Sequence, residues 1–276
     1  MKALLFLFLS MFGTTQVMSQ TYFTFTPMVG MQRCFAKYQS GDRPSVFYNN
    51  AGNNFFHVGF LLDYHRNRFI YSLGYTQNNA GYAYAIKPDV VNPLDSVINW
   101  GFREASANPT NAIEAKVAYS LSEINLFRKK QNTQAFQNSN NIYKDDQHLI
   151  NFRFNVFGGL LYEHLQHVNF MEYPVNFGHT ITQVRHTRLN NNGITGTLGF
   201  SIQFLHKGKE SLALNFFYHQ GFTKLLQMDI TYTLINDQVT YHTTLISKGT
   251  SFGASISYPI RFWDVDKRKA RKTAGS

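Results

Sequence analysis

The residues able to do chemistry are few and scattered. His219 lies in Phe217-Tyr218-His219-Gln220-Gly221 and is the best-placed base for an acyl-hydrolase pair. A serine nucleophile and its base must stand within hydrogen-bond reach, which on one strand means two positions apart on the same face. The position two residues on is Gly221, so His219 reads as a structural histidine on an inner wall. Glu163-His164-Leu165-Gln166-His167 has the residue types of a metal site. On a strand, positions three apart point to opposite faces, so His164 and His167 converge only in a helical turn. They read as loop histidines without a metal. The single cysteine, Cys34, has no partner for an internal disulfide. These patterns lead to no catalytic residue, no metal and no cofactor, and the chain is expected not to be an enzyme.

Charge is the next resource. Lys and Arg outnumber Asp and Glu 26 to 16. Lys267, Arg268, Lys269, Arg271 and Lys272 crowd the last residues, and His179, Arg185, His186 and Arg188 make one long loop basic. The loop has the groups to meet lipopolysaccharide phosphates through charge-assisted hydrogen bonds. The tail has those to meet an acidic partner, a cell-wall polymer or inner-leaflet phosphates. Residues 1–19, MKALLFLFLSMFGTTQVMS, carry one Lys, an apolar run from Ala3 to Phe12 and small residues before Gln20, the pattern of a secretory signal peptide. An exported basic protein is expected to meet envelope anions and not nucleic acid.

Those groups need elements to position them, and the chain supplies strands. In FFHVGFLLDY, residues Phe56, Val58, Phe60, Leu62 and Tyr64 share one face against His57, Gly59, Leu61 and Asp63. A period of two is a β-strand with unlike faces. The same alternation runs through RFIYSLGYT, NAIEAKVAYSL, LINFRFNVF, GITGTLGFSIQF, SLALNFFYH and GTSFGASISYPIRFW, and less cleanly through TYFTFTPMVGMQRCFAKY, where Pro27 interrupts. That makes eight strands, an even number that closes. The tight links 65–68 and 206–210 alternate with long ones at 39–53, 78–110, 164–192 and 223–248, which puts the long links at one end of an up-and-down barrel. Residues 128–148 break the rule, as either a long periplasmic connection or an extra hairpin.

Alternation suits a soluble barrel as well as a membrane barrel, so the identity of each face decides. The polar positions are mostly Ser, Thr, Gly, Asn and Gln, which fit a crowded interior. The large side chains fit poorly inside eight strands but form an apolar belt outside. Aromatics are 16% of the chain, and Tyr22, Tyr64, Phe69, Phe262 and Trp263 fall near strand ends, where interfacial girdles sit. Asp63, Glu114, Lys116, Arg153 and Arg261 are then inward charges, expected to form a structural network. The fold class is all-β: a closed, antiparallel, up-and-down transmembrane β-barrel of eight strands over residues 20–263, after the signal peptide and before a basic periplasmic tail at 264–276.

Gln20 as first mature residue, eight alternating strands and a last strand ending Tyr258-Pro259-Ile260-Arg261-Phe262-Trp263 resemble the small outer-membrane β-barrels of the PorT type found in Bacteroidota. Glu123-Ile124-Asn125-Leu126 is similar to an E-I-P-L element of that family, with Asn125 in place of the proline. The resemblance implies a non-enzymatic outer-membrane protein, an accessory or scaffold subunit of a larger envelope complex for protein secretion or outer-membrane protein assembly. Its implied partners are outer-membrane lipid, lipopolysaccharide and other envelope proteins. A lipid-modifying enzyme and a small solute channel are the alternatives.

Overall fold

The computed structural model describes residues 21–41, 47–48, 54–86, 103–106, 108–125, 150–166, 173–177, 180–206, 209–234 and 238–265. The signal-peptide residues, the 128–148 connection and the cations Lys267, Arg268, Lys269, Arg271 and Lys272 lie outside the described residues. The strands, in chain order, are β1 (Thr21–Gly41), β2 (Phe47–Tyr48), β3 (Asn54–Arg66), β4 (Phe69–Asn79), β5 (Tyr82–Ile86), β6 (Arg103–Ser106), β7 (Pro109–Asn125), β8 (Ile150–Leu165), β9 (Tyr173–Phe177), β10 (Thr180–Arg188), β11 (Asn192–His206), β12 (Lys209–Gly221), β13 (Leu226–Leu234), β14 (Val239–Ser257) and β15 (Ile260–Asp264).

Eight of them, β1-β3-β4-β7-β8-β11-β12-β14, are hydrogen-bonded in that order, all antiparallel, and β14 pairs back onto β1. The sheet is therefore a ring, which removes the open edges that invite mispairing. All eight strands expected from alternation are in it. Pro259 interrupts the last strand. The ladder to β1 resumes in β15, where Phe25 pairs with Ile260 and Phe23 with Trp263, and the Tyr258 amide bridges the gap by donating to the Pro27 carbonyl at 3.1 Å.

The two faces of the ring are unlike. Thr24, Thr26, Thr76, Thr197, Ser251 and Ser255 are buried, whereas Phe56, Leu73, Leu160, Leu198 and Phe252 on the opposite face are exposed. The buried face is the inner one, because residues from all eight strands, from Thr26 on β1 to Ser257 on β14, line a single cavity of about 70 Å³. The exposed face carries aromatic contacts from strand to strand near one end: Phe262 with Phe23, Phe23 with Tyr64, Tyr64 with Tyr71, and Phe69 with Tyr119, at centroid distances of 6.4, 4.9, 6.2 and 5.1 Å. Tyr22 departs from expectation. It turns inward and is 8% exposed, for reasons given below.

That aromatic end holds the tight β3–β4 turn, in which Asn67 adopts φ 56°, and the β11–β12 link. The connections 39–53, 78–110, 164–192 and 223–248 leave from the other end, and their described residues include paired strands. β13 pairs with β14, β10 with β13 and β9 with β10, so the upper parts of β1 and β14 continue as a five-stranded sheet beyond the ring. β2, β5 and β6 form a second small sheet. No helix among the described residues is long and apolar enough to cross a membrane.

Candidate functional site

The inner face gathers polar groups in three tiers. At the tight-turn end the centre is Arg153 on β8, whose Nη1 donates to Glu210 Oε1 at 2.9 Å and whose Nη2 stands 3.6 Å from Glu123 Oε2. The Tyr22 hydroxyl donates to Glu210 Oε1 at 2.6 Å. His65 stacks on Tyr22 at 4.3 Å, with Nδ1 3.5 Å from the same Glu210 oxygen. The Arg261 guanidinium covers the other side of Tyr22, 3.8 Å from the ring centroid, and pairs with Asp264 at 2.9 Å. Asp63 accepts from the Thr24 and Thr26 hydroxyls through one oxygen. Tyr22 points inward because Glu210, His65 and Arg261 give its hydroxyl and its ring partners there.

Strict alternation found Asp63, Arg153 and Arg261 but missed Glu123 and Glu210. β-Bulges explain this. Between β11 and β12 the pairing steps from Phe204↔Leu212 to Leu205↔Glu210, leaving Ser211 unpaired, with its hydroxyl on the Phe204 carbonyl at 3.1 Å. One extra residue reverses which face the following side chains take, so Glu210 turns in although Leu212 faces out. Between β7 and β8, Leu121 is skipped in the same way and Glu123 arrives opposite Arg153. A third irregularity, between Phe23 and Thr24, sets Arg261 opposite Thr24. The signal that could have found the two acids is a buried arginine needing compensation.

The middle tier holds Glu114 and Lys116, paired at 3.4 Å on β7. They form a separate pair, so the five predicted inward charges make two groups and not one network. Lys116 Nζ also lies 5.0 Å from the centroid of Phe157. Large rings do enter this interior. Phe157 fits against Gly199 and Phe217 against Gly253, where a Cβ would stand 2.4 and 2.5 Å from the ring atoms. His219 stacks on Phe217 at 4.6 Å and its Nδ1 is 3.4 Å from Ser251 Oγ. The serine absent from the histidine's own strand thus comes from β14, where Ser251 pairs with His219. Both are buried inside the ring, 1% and 3% exposed, and their contact is long for an activated nucleophile.

At the long-connection end the chain folds over the opening. Ala80, Leu165, Leu225 and Leu226 form a buried apolar cluster. Ser247 Oγ donates to the Ala80 carbonyl at 2.7 Å, Cys34 Sγ to the Asn79 carbonyl at 2.9 Å, and the Leu225 amide to the Ser247 carbonyl at 3.0 Å. Beneath this cover, His57 Nδ1 contacts Asn78 Oδ1 at 2.8 Å, and Asn78 Nδ2 donates to Glu163 Oε1 at 3.3 Å. The cavity between the two ends has room for on the order of five waters at about 10–15 Å³ each.

The other predicted residues lie elsewhere. His164 faces outward onto Asn192 at 2.7 Å, opposite in direction to Glu163, and His167 and His179 lie outside the described residues. No group of three or more His, Cys, Asp or Glu side chains placed to hold a metal ion occurs among the described residues. Arg185, His186 and Arg188 are on β10, where Arg185 pairs with Asp229 of β13 while His186 and Arg188 share the opposite face with Met228 and Leu226. The basic loop is therefore divided between two sides of a sheet. Burial lowers the proton affinity of His186. No family model matches the chain, and no curated protein is significantly similar to it.

Proposed function

We propose that the ring is a transmembrane β-barrel of the bacterial outer membrane, serving as a non-enzymatic accessory or scaffold subunit of a larger envelope complex of the PorT type, in protein secretion or outer-membrane protein assembly. One observation carries the membrane part. Large apolar side chains on every strand of the ring are exposed, among them Val29, Leu62, Leu73, Ile113, Leu160, Leu198, Phe216 and Ile256, while the buried side is rich in Thr, Ser, Asn and charged groups. Water outside such a belt would leave a continuous apolar surface far beyond what a soluble monomer tolerates. Hydrocarbon outside it satisfies both faces. The aromatic contacts near the tight-turn end then match an interfacial girdle.

The scaffold part is supported by the filled interior and by the paired sheet that continues beyond the ring, which offers a surface to partners. A route for solute is not favoured with Phe157, Phe217 and the Glu114–Lys116 pair across the middle. A lipid-modifying role is not favoured because Ser251 and His219 face inward, away from where acyl chains would lie. Extraction with mild detergent, affinity capture and mass spectrometry test the proposal: stable envelope partners are expected, and repeated recovery of a lone monomer overturns the scaffold role. Heat-dependent gel mobility tests the barrel separately. A processed protein that stays monomeric in water without detergent overturns the membrane reading.

A further inference from the structure

The outer rim of the ring at the long-connection end changes character from one side to the other. Gln77, Asn111, His164 and Asn192 are successive register partners around β4, β7, β8 and β11, and partners in register share a face. They make a rim of amides and one imidazole above the apolar belt. On β1 the outward residues that follow Val29 and Met31 are Arg33, Phe35 and Lys37. Arg33 pairs with the exposed Phe252 of β14, and Lys37 with Ile246. Lys224, from the β12–β13 link, reaches across β14 to β1, where its Nζ donates to Gln39 Oε1 at 3.3 Å.

These cations lack a counter-charge. No Asp or Glu among the described residues makes an ion pair with Arg33, Lys37 or Lys224. Arg33 Nε is buried and has no hydrogen-bond acceptor, and the acceptor that Lys224 has is a neutral amide. Asp229 of β13 accepts from Gln227 and Thr244 and pairs in register with Arg185. A buried donor left unmade costs free energy, more so on a charged group, and an anion at this rim supplies both the acceptor and the charge. Directly below Arg33 the surface is apolar and exposed, with Val29, Met31 and Phe252 side by side on β1 and β14. A ligand that uses both parts has an anionic head and an apolar body.

We propose that this sector of the rim binds a phosphorylated lipid of the surrounding leaflet, its phosphate held by Arg33, Lys37 and Lys224 through charge-assisted hydrogen bonds and its acyl chains lying along Val29, Met31 and Phe252. Arg33 and Lys37 are about 13 Å apart along the strand, and both side chains are long enough to reach one shared head group. The inference rests on the membrane reading above. It puts lipid phosphate on β1 and the β12–β13 link instead of on β10, where Arg185 and Arg188 take opposite sides of the sheet.

The test uses the full chain, extracted in mild detergent, stripped of endogenous lipid and titrated with phosphorylated lipid A, with the same lipid dephosphorylated, and with inorganic phosphate. Native mass spectrometry counts the lipid retained. The phosphorylated form is expected to stay bound, the dephosphorylated form to wash off, and inorganic phosphate at matched concentration not to displace the lipid. Arg33→Gln with Lys37→Gln is expected to weaken binding on the order of ten- to thirtyfold, and Lys224→Gln by less. Arg66→Gln with Lys209→Gln, an equal loss of charge at the tight-turn end, is expected to leave it unchanged. Equal retention of the two lipids overturns the proposal. So do equal losses in the two double variants, and so does displacement by inorganic phosphate, which would mean an anion site without a lipid. Should the first double variant fail to fold by heat-dependent gel mobility, unchanged affinity in Lys224→Gln overturns it. Failure of the membrane reading looks different: the protein is then monomeric in water without detergent, whereas one that needs detergent and does not distinguish the lipids loses this site alone.

Discussion

The two ends of the ring interior solve one problem in opposite ways. Both must close a tube lined by polar groups. The tight-turn end does it with charge: Arg153, Glu210, Glu123, Tyr22 and His65 hold one another across five strands of the ring, with Arg261 at the mouth. The long-connection end does it with apolar bulk and backbone, laying Ala80 and Leu225 over Leu165 and tying them to Ser247. The difference follows from the connections. The β3–β4 turn at Asn67 has no chain to fold across the opening, and among the described residues it is side chains that span this end. Long connections have chain to spare, and a buried segment is tolerated where its backbone groups find partners.

The largest effect is expected from Arg153→Ala, which leaves Glu210 and Glu123 part-buried without their cation. Loss of a partner from a buried pair costs about 3–5 kcal/mol, read as a fall in urea unfolding midpoint. Adding Glu210→Gln to it is expected to recover part of the loss, and simple additivity in that double-mutant cycle would break the picture of a coupled lower end.

Next comes the apolar end. Leu225→Ala is expected to cost about 2–4 kcal/mol through the cavity it leaves, with no coupling to Arg153→Ala because the two sites sit at opposite ends. Measured coupling between them would mean that the ends are not separate units. Gly199→Ala, in the middle tier, forces a methyl against the Phe157 ring and is expected to cost about 1–3 kcal/mol. The methyl also meets the Phe216 carbonyl oxygen at 2.3 Å, so Phe157→Leu in the same chain is expected to relieve only the share that the ring contributes.

The smallest effect concerns pH and the sheet beyond the ring. Burial favours neutral His186, so the unfolded chain binds the extra proton first. Stability of that sheet is expected to be full above the ordinary histidine range, near pH 6.5, and to fall below it. Amide exchange in β10 and β13 at several pH values checks this, and His186→Gln is expected to flatten the dependence.

Much of the ring was legible. Phe56, Val58, Phe60 and Leu62 announced their common face by spacing alone, and Asp63, Glu114, Lys116 and Arg153 were placed inside by the same count. Glu210 and Glu123 were not legible, since each follows a bulge that local sequence does not mark. Ser251 was missed as the neighbour of His219 for another reason: the two are 32 positions apart and meet only through strand register. The strands within the long connections were not read, although β5–β6, β9–β10 and β13 with the upper part of β14 pair inside one connection; only β2–β5 and β10–β13 join different connections.

The sequence by itself determined the period of two, the chemical contrast between the faces and the number of strands in the ring, because these are properties of each strand taken alone. Only the tertiary structure decided which acids meet Arg153 and which serine meets His219. Those depend on register, and a register shift of one residue, invisible in composition or alternation, turns a side chain from one face to the other.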